Sequence, residues 1–239
     1  DGNIGWRPAV FIPIRKMGYS MAPRPGWDRT FDWGGYVPFD EMPYLYNPPE
    51  GFISTANNRT IGNEFPYYIS GLWADPSRSS RLKEVLGKEK KYSLEDMKAL
   101  QLDLTSNYSK EILPFILKNA GTYRSQIFER AITFLKDWNH IESIDSEGTL
   151  IFHSISNEII RNIYYDELSV LGDKYFETYI SLKYITKRNL RRILKSHTNK
   201  WVDDIRTPTK IETIDEIITK SIESGIQKVV DSYGPNWSN

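Results

Sequence analysis

No cysteine occurs in the 239 residues, which excludes disulfides and any thiolate-ligated zinc or iron–sulfur site. Histidine is nearly as scarce: His140, His153 and His197 lie far apart without a ligand spacing such as H-x-x-x-H, and read as ordinary surface or core residues. No apolar run approaches the roughly 18 residues of a membrane span, and no charged-then-apolar leader opens the chain. Thirty-one basic residues balance thirty-one acidic ones, so no overall field draws the protein to nucleic acid, anionic membrane or acidic substrate. The phosphate-cradling patterns G-x-x-x-x-G-K-[ST] and G-x-G-x-x-G are missing, as are a G-x-S-x-G elbow and a Ser/His/Asp order suited to catalysis. Methionine does not stand first; the chain opens at Asp1 and reads as a piece of a longer product, with no indication of compartment.

What is present divides near residue 76. Ten of the 13 prolines (8, 13, 23, 25, 38, 43, 48, 49, 66 and 76) lie at or before it, with most of the 15 glycines and about half of the aromatics. Proline removes backbone donors and glycine permits tight turns, so residues 1–75 are expected as short strands and ordered loops pinned by aromatic rings. "IGWRPAVFIPIR" reads as strand, break, strand, a candidate hairpin. "EGFISTA" is a further strand candidate, and "PYLYNPPE" is extended because residues before proline avoid the helical region.

From residue 76 to 239 the pattern is helical. "SLEDMKALQLDL" carries a capping box, Ser93 with Asp96, and sets Met97, Leu100 and Leu104 on one face. Ile127, Ala131, Leu135 and Trp138 form a second apolar stripe. Thr213 and Glu216 make another box, followed by Ile214, Ile218, Ile222, Ile226 and Val230 on one helical face. Residues 154–171 and 174–195 read as two more helices. The expected class is α+β, a strand- and loop-rich segment before a mainly helical domain.

Few residues offer chemistry. The basic run "KRNLRRILK", residues 187–195, is followed closely by Asp203, Asp204, Glu212, Asp215 and Glu216, so it reads as a solvated helix face paired with these acids rather than a nucleic-acid surface. Asp28, Asp32, Asp40 and Glu41 could supply a carboxylate pair or an oxygen-ligand metal site, but loop acids more often cap and form turns. The pair Asn57-Asn58 remains. Asparagine favours turns, yet its neutral amide donates two N–H bonds without titrating, which suits a developing oxyanion.

The runs "DGNIGWRPAVFIPIRK" and "PGWDRTFDWGGYVPFDEMPYLYNPPEGFISTANN" resemble the interior of the β chain of the penicillin acylase (penicillin amidase) family, amidases of the N-terminal nucleophile hydrolase class. The similarity continues through "WADPSRSSRLKEVL" and "YSLEDMKALQLDLTSNYSKEILPFI". It thins after about residue 110, where "FLKDWN" and "YGPNWSN" still fit. The resemblance implies a four-layer αββα sandwich with a helical insertion in the β chain: here residues 1–75 in the sheet region and 76–239 in the insertion. It implies a serine nucleophile at the β-chain N-terminus, its own α-amine as base, and the first asparagine of the "NN" pair, Asn57, as oxyanion donor, with Asn58 its structural neighbour. It also implies a functional arginine at the start of the next helix, Arg78, or Arg81 as the alternative.

Three departures accompany the resemblance. The nucleophilic serine is not in this chain, and the family's C-terminal strands would follow "NWSN". Many members bind a structural calcium partly through an aspartate after the asparagine pair; Pro66, Tyr67 and Tyr68 stand there, so a complete calcium site is not expected, and the chemistry needs no cofactor. The parent is thus expected to hydrolyse a small N-acyl amide substrate, a β-lactam side chain or a related compound. Its partners are the remaining acylase pieces, the α chain and the β-chain N-terminus, and this piece alone is expected to be inactive. The alternative is a stand-alone helical interaction module. Uncovered strand edges and aromatics in residues 1–75 argue against that and point to self-association of the isolated piece.

Overall fold

A computed structural model describes residues 2–19, 21–88, 91–121, 125–196 and 199–235. They form two compact units, Asp1–Leu94 and Glu95–Asn239. The first is mostly ordered loop. Strand β1 (Gly5–Trp6) pairs antiparallel with β4 (Leu45–Tyr46), and β2 (Pro13–Arg15) with β3 (Trp33–Tyr36). The expected hairpin between the two halves of "IGWRPAVFIPIR" therefore does not form. Pro8 interrupts the segment and no turn residue follows to reverse it, so each half pairs with a strand some 20–40 residues on.

Asn47 locks the outer pair. It accepts from the Ile4 N–H through Oδ1 at 2.9 Å, returns its own N–H to the Ile4 carbonyl at 2.9 Å, and donates through Nδ2 to Asn3 at 2.7 Å. A small core of Ile12, Val37 and Met42, with Ile14, Tyr67 and Ile69 against it, holds this unit. "EGFISTA" joins no ladder among the described residues, another correction to the expectation: alternation marks a strand only where a partner edge is available. Helix α1 (Ser77–Leu86) lies within this unit, although composition grouped it with the helices beyond residue 76.

The second unit is a packed helical domain. Its helices are α2 (Leu94–Gln101, reaching across the unit boundary), α3 (Asn107–Asn119), α4 (Gln126–Asp137), α5 (Glu147–Val170), α6 (Asp173–Ser181), α7 (Lys183–Ser196) and α8 (Ile214–Tyr233). Helix α2 begins directly after Ser93 but ends at Gln101, leaving Leu104 off the expected face and half exposed. The helix expected over 154–171 starts earlier, at Glu147, where the Ser146 hydroxyl accepts from the Thr149 N–H at 3.2 Å. The helix expected over 174–195 divides at Leu182 (φ −82°, ψ 62°) into α6 and α7.

The core runs along α5 and α8. Ile151, Phe152, Ile155, Ile159 and Ile163 of α5 are fully buried, and α8 offers Ile218, Ile222 and Ile226. The backbones approach closely at Gly225, where the Ser154 hydroxyl donates to the Gly225 carbonyl at 2.8 Å. Thr213 and Glu216 form the complete capping box at the start of α8. Ala131, Leu135 and Trp138 are buried as their spacing required, and Ile127 packs against the same core. No helix among the described residues is long and apolar enough to cross a membrane.

Candidate functional site

Asn57 stands at a left-handed turn, φ +60°, a conformation that asparagine tolerates better than other side-chain-bearing residues. The turn is pinned from beyond the loop. The Ala74 N–H donates to the Asn57 carbonyl at 2.9 Å. Arg78, in the first turn of α1, donates through Nη2 to the Asn57 Oδ1 at 2.7 Å and to the Ala56 carbonyl at 3.0 Å. The start of α1 is itself held by the buried Asp75, which accepts from the Ser77 N–H at 2.9 Å, and by Ser79, which donates to the Pro76 carbonyl at 2.9 Å.

A guanidinium has donors only, so it accepts nothing from Asn57 and fixes the flip of the amide. Oδ1 faces Arg78 and Nδ2 faces the other way, and among the described residues that Nδ2 donates to no partner. The cationic hydrogen bond on Oδ1 also polarises the amide and strengthens the free N–H donors. Asn58 is engaged at both ends by neighbouring backbone: Oδ1 accepts from the Ala56 N–H and Nδ2 donates to the Arg59 carbonyl, each at 3.0 Å. Arg81 pairs with Glu84 along its own helix at 2.6 Å. Of the two asparagines and two arginines singled out by the sequence, the structure brings Asn57 and Arg78 together and turns the other two to local contacts.

A cavity of about 810 Å³ lies in the same unit, lined by Trp6, Phe52, Ile53, Ile61 and the cationic Arg59 and Lys83; Asn58, not Asn57, is among its walls. Asn57 itself is exposed. The arrangement can present a fixed, neutral two-proton donor to an oxygen that gains negative charge.

The other candidates take ordinary places. Asp28 caps a short 3-10 turn, accepting from the Thr30 N–H at 2.9 Å, and that bond holds its carboxyl below the usual range. Asp40 and Glu41 sit in the first turn of another 3-10 helix, and Glu41 accepts from the Tyr67 hydroxyl. Tyr67 is thus a hydrogen-bond donor. Among the described residues no group of three or more histidine and carboxylate side chains is arranged for a metal.

The basic run on α7 also differs from expectation. Two of its cations pair with Glu111 of α3, Arg191 at 2.6 Å and Lys195 at 3.5 Å. Four of the five acids expected as partners make ion pairs elsewhere, Asp204 to Arg206, Glu212 and Glu216 to Lys210, Asp215 to Lys118, and Asp203 accepts from the Glu212 N–H at 3.2 Å. Helical periodicity turns Leu190, Ile193 and Leu194 inward, and chain folding rather than sequence proximity selects the acid beside them. His140 bonds the Ser109 hydroxyl at 2.9 Å and His153 contacts Glu142 at 3.3 Å, while His197 lies outside the described residues.

The clamp from Ala74 escaped sequence reading, because a backbone N–H carries no residue signature.

A model of the penicillin amidase family matches residues 1–239. An acyl-homoserine lactone acylase QuiP of Pseudomonas putida is 33% identical over 97% of this chain and 30% of its own length. A QuiP of Pseudomonas fluorescens strain Pf0-1 is 29% identical over 94% of this chain and 29% of its own length. A penicillin acylase 2 proenzyme of Pseudomonas sp. strain SE83 is 32% identical over 44% of this chain and 14% of its own length. Among solved structures, the thermostable penicillin G acylase of Alcaligenes faecalis shares the fold, with a TM-score of 0.67 at 18% identity over 99% of this chain and 46% of that one. The chain spans less than a third of the length of the QuiP relatives it matches.

Proposed function

The chain belongs to the penicillin amidase family, and on that premise we propose that it is the oxyanion-binding part of an amidohydrolase that cleaves the linear amide of an N-acyl compound. The observation that carries this reading is the Asn57 amide, its Oδ1 held by Arg78 and its Nδ2 left to donate.

In the proposed reaction a nucleophile outside residues 1–239, a chain-terminal serine activated by its own amine, attacks the amide carbonyl. The carbonyl oxygen becomes an oxyanion and accepts from the Asn57 Nδ2. Collapse of the tetrahedral species breaks the C–N bond and releases the amine, and water then hydrolyses the acyl-enzyme to a free carboxylate. Arg78 acts as a positioning residue, because it touches the donor and not the reacting atoms. The names of the relatives make N-acyl homoserine lactones and acylated β-lactams the first substrates to try. The remaining parts of the parent acylase are the proposed partners, and this chain alone is proposed to be inactive.

The test is Asn57→Ala in the assembled parent enzyme. A fall in kcat of about 10²–10³ is expected for loss of one oxyanion donor. A loss smaller than about twofold removes Asn57 from the mechanism.

A further inference from the structure

The second unit holds a cleft of about 530 Å³ whose walls come from α3, α5, α6, α7 and α8. Four cations line it: Arg161, Lys183, Lys187 and Lys228. One carboxylate, Glu158, shares the wall, and Lys228 engages it. The other three cations form no ion pair among the described residues. Arg161 stacks 4.2 Å over the Tyr165 ring and Lys187 sits 4.9 Å over the Tyr108 ring, while Lys183 is exposed and makes no contact of either kind. Glu142 is bound by His153, which with a smaller effect of the Lys187 charge holds its carboxyl below the usual range.

Ser156 lines the same cleft at 4% exposure, and its buried Oγ has no hydrogen-bond partner. The usual helical solution is a bond to the carbonyl four residues back, which Ser221 makes to Ile217 at 2.6 Å; Ser156 does not make it. A buried hydroxyl left open beside unpaired cations is the arrangement expected where a ligand oxygen completes the set. Ile160, Phe176 and Ile180 supply an apolar stretch of the wall, and Tyr108, His153, Asn157 and Thr186 complete it. The volume exceeds that of a bare inorganic anion and is ordinary for a small organic ligand.

We propose that this cleft is a binding site for a small amphiphilic anion, its anionic oxygens held by Lys183, Lys187 and Ser156 and its apolar body against Phe176 and Ile180. The site lies wholly within the helical unit and does not rest on the amidase reading.

Calorimetric titration of the whole chain at low ionic strength tests it, with hexanoate and hexyl phosphate as probes and 1-hexanol and inorganic phosphate as controls. Saturable binding of a hexyl anion is expected, weakened about tenfold in the Lys183→Gln/Lys187→Gln variant. Ser156→Ala is expected to weaken it about threefold and serves as the second variant should the first unfold. The tighter of the two probes identifies the head group as carboxylate or phosphate monoester. The inference is overturned if neither hexyl anion saturates, if hexanol or inorganic phosphate binds as tightly, or if the folded variants bind as wild type does. No turnover is read, so failure here leaves the amidase proposal standing, and failure of that proposal leaves this one.

Discussion

Gly225→Ala sets two opposed effects against each other. Alanine is favoured over glycine in a helix interior by about 1 kcal/mol, so local propensity alone predicts a gain. The structure predicts a loss. A Cβ at position 225 would lie 2.8 Å from the Ile155 Cα, 2.9 Å from its nitrogen and 3.0 Å from its Cγ1, where ordinary contact begins near 3.4 Å. Two of these atoms are backbone, so no rotamer change relieves the clash and α5 must move from α8 by several tenths of an ångström. That motion loosens the contacts of Ile155, Ile159, Ile222 and Ile226, all fully buried, and stretches the Ser154 bond to the Gly225 carbonyl. Overpacking of this kind costs about 1–3 kcal/mol, and a weakened hydrogen bond adds about 1 kcal/mol. The net expectation is a destabilisation of about 1–3 kcal/mol, which at a slope of about 2 kcal/mol per molar urea lowers the unfolding midpoint by about 0.5–1.5 M. Urea unfolding followed by far-ultraviolet circular dichroism measures it, with Ser224→Ala as a neighbouring control expected within about 0.5 kcal/mol of wild type. A Gly225→Ala midpoint equal to or above wild type would refute the close-crossing argument.

Three further outcomes are expected. Thr213→Ala removes the α8 capping box, in which the Thr213 Oγ1 accepts from the Glu216 N–H at 3.3 Å and Glu216 accepts from the Thr213 N–H at 2.8 Å; unfolding should be easier by about 1 kcal/mol, and an unchanged urea midpoint contradicts the cap. Burial, with the Asp166 carboxylate alongside to accept from the protonated form, pushes the Glu167 carboxyl up from 4.5 to about 8. A raised folded value contributes stability that is full below 4.5 and is lost as pH rises through 8, so wild type should weaken between pH 5 and 8.5 and Glu167→Gln should flatten that decline; identical pH profiles would exclude Glu167 as its source. Arg78→Lys keeps the charge but loses the planar grip on Asn57 and Ala56, so the assembled enzyme should lose about tenfold in kcat with KM nearly unchanged; a change confined to KM would mean that Arg78 serves substrate binding instead.

The helical unit was largely legible in the sequence because its information is local. The stripe Ile214 to Val230 and the Thr213/Glu216 box are written at spacings of three and four, and a helix closes its own hydrogen bonds, so pattern and structure coincide. The division of 174–195 at Leu182 was not legible, since no proline or glycine marks it. Strand partners were less legible still. Gly5 with Tyr46 and Pro13 with Tyr36 are joined across tens of residues, and a strand segment gives no sign of which distant edge completes it.

The candidate site shows the same boundary. The residue types at 57 and 78, and the family resemblance around them, could be read directly from the sequence. Tertiary structure decided which arginine reaches which asparagine, and so which amide keeps a free donor. That choice depends on 20 intervening residues folding back so that Arg78 and the Ala74 N–H meet Asn57. The basic cleft lay further from sequence reading, because Ser156 on α5, Lys183 and Lys187 on α7 and Lys228 on α8 come from three helices and share no motif. Local patterns state how each segment can satisfy its own backbone and bury its own face; only packing brings side chains from distant segments within the few ångströms over which hydrogen bonds and unpaired charges act.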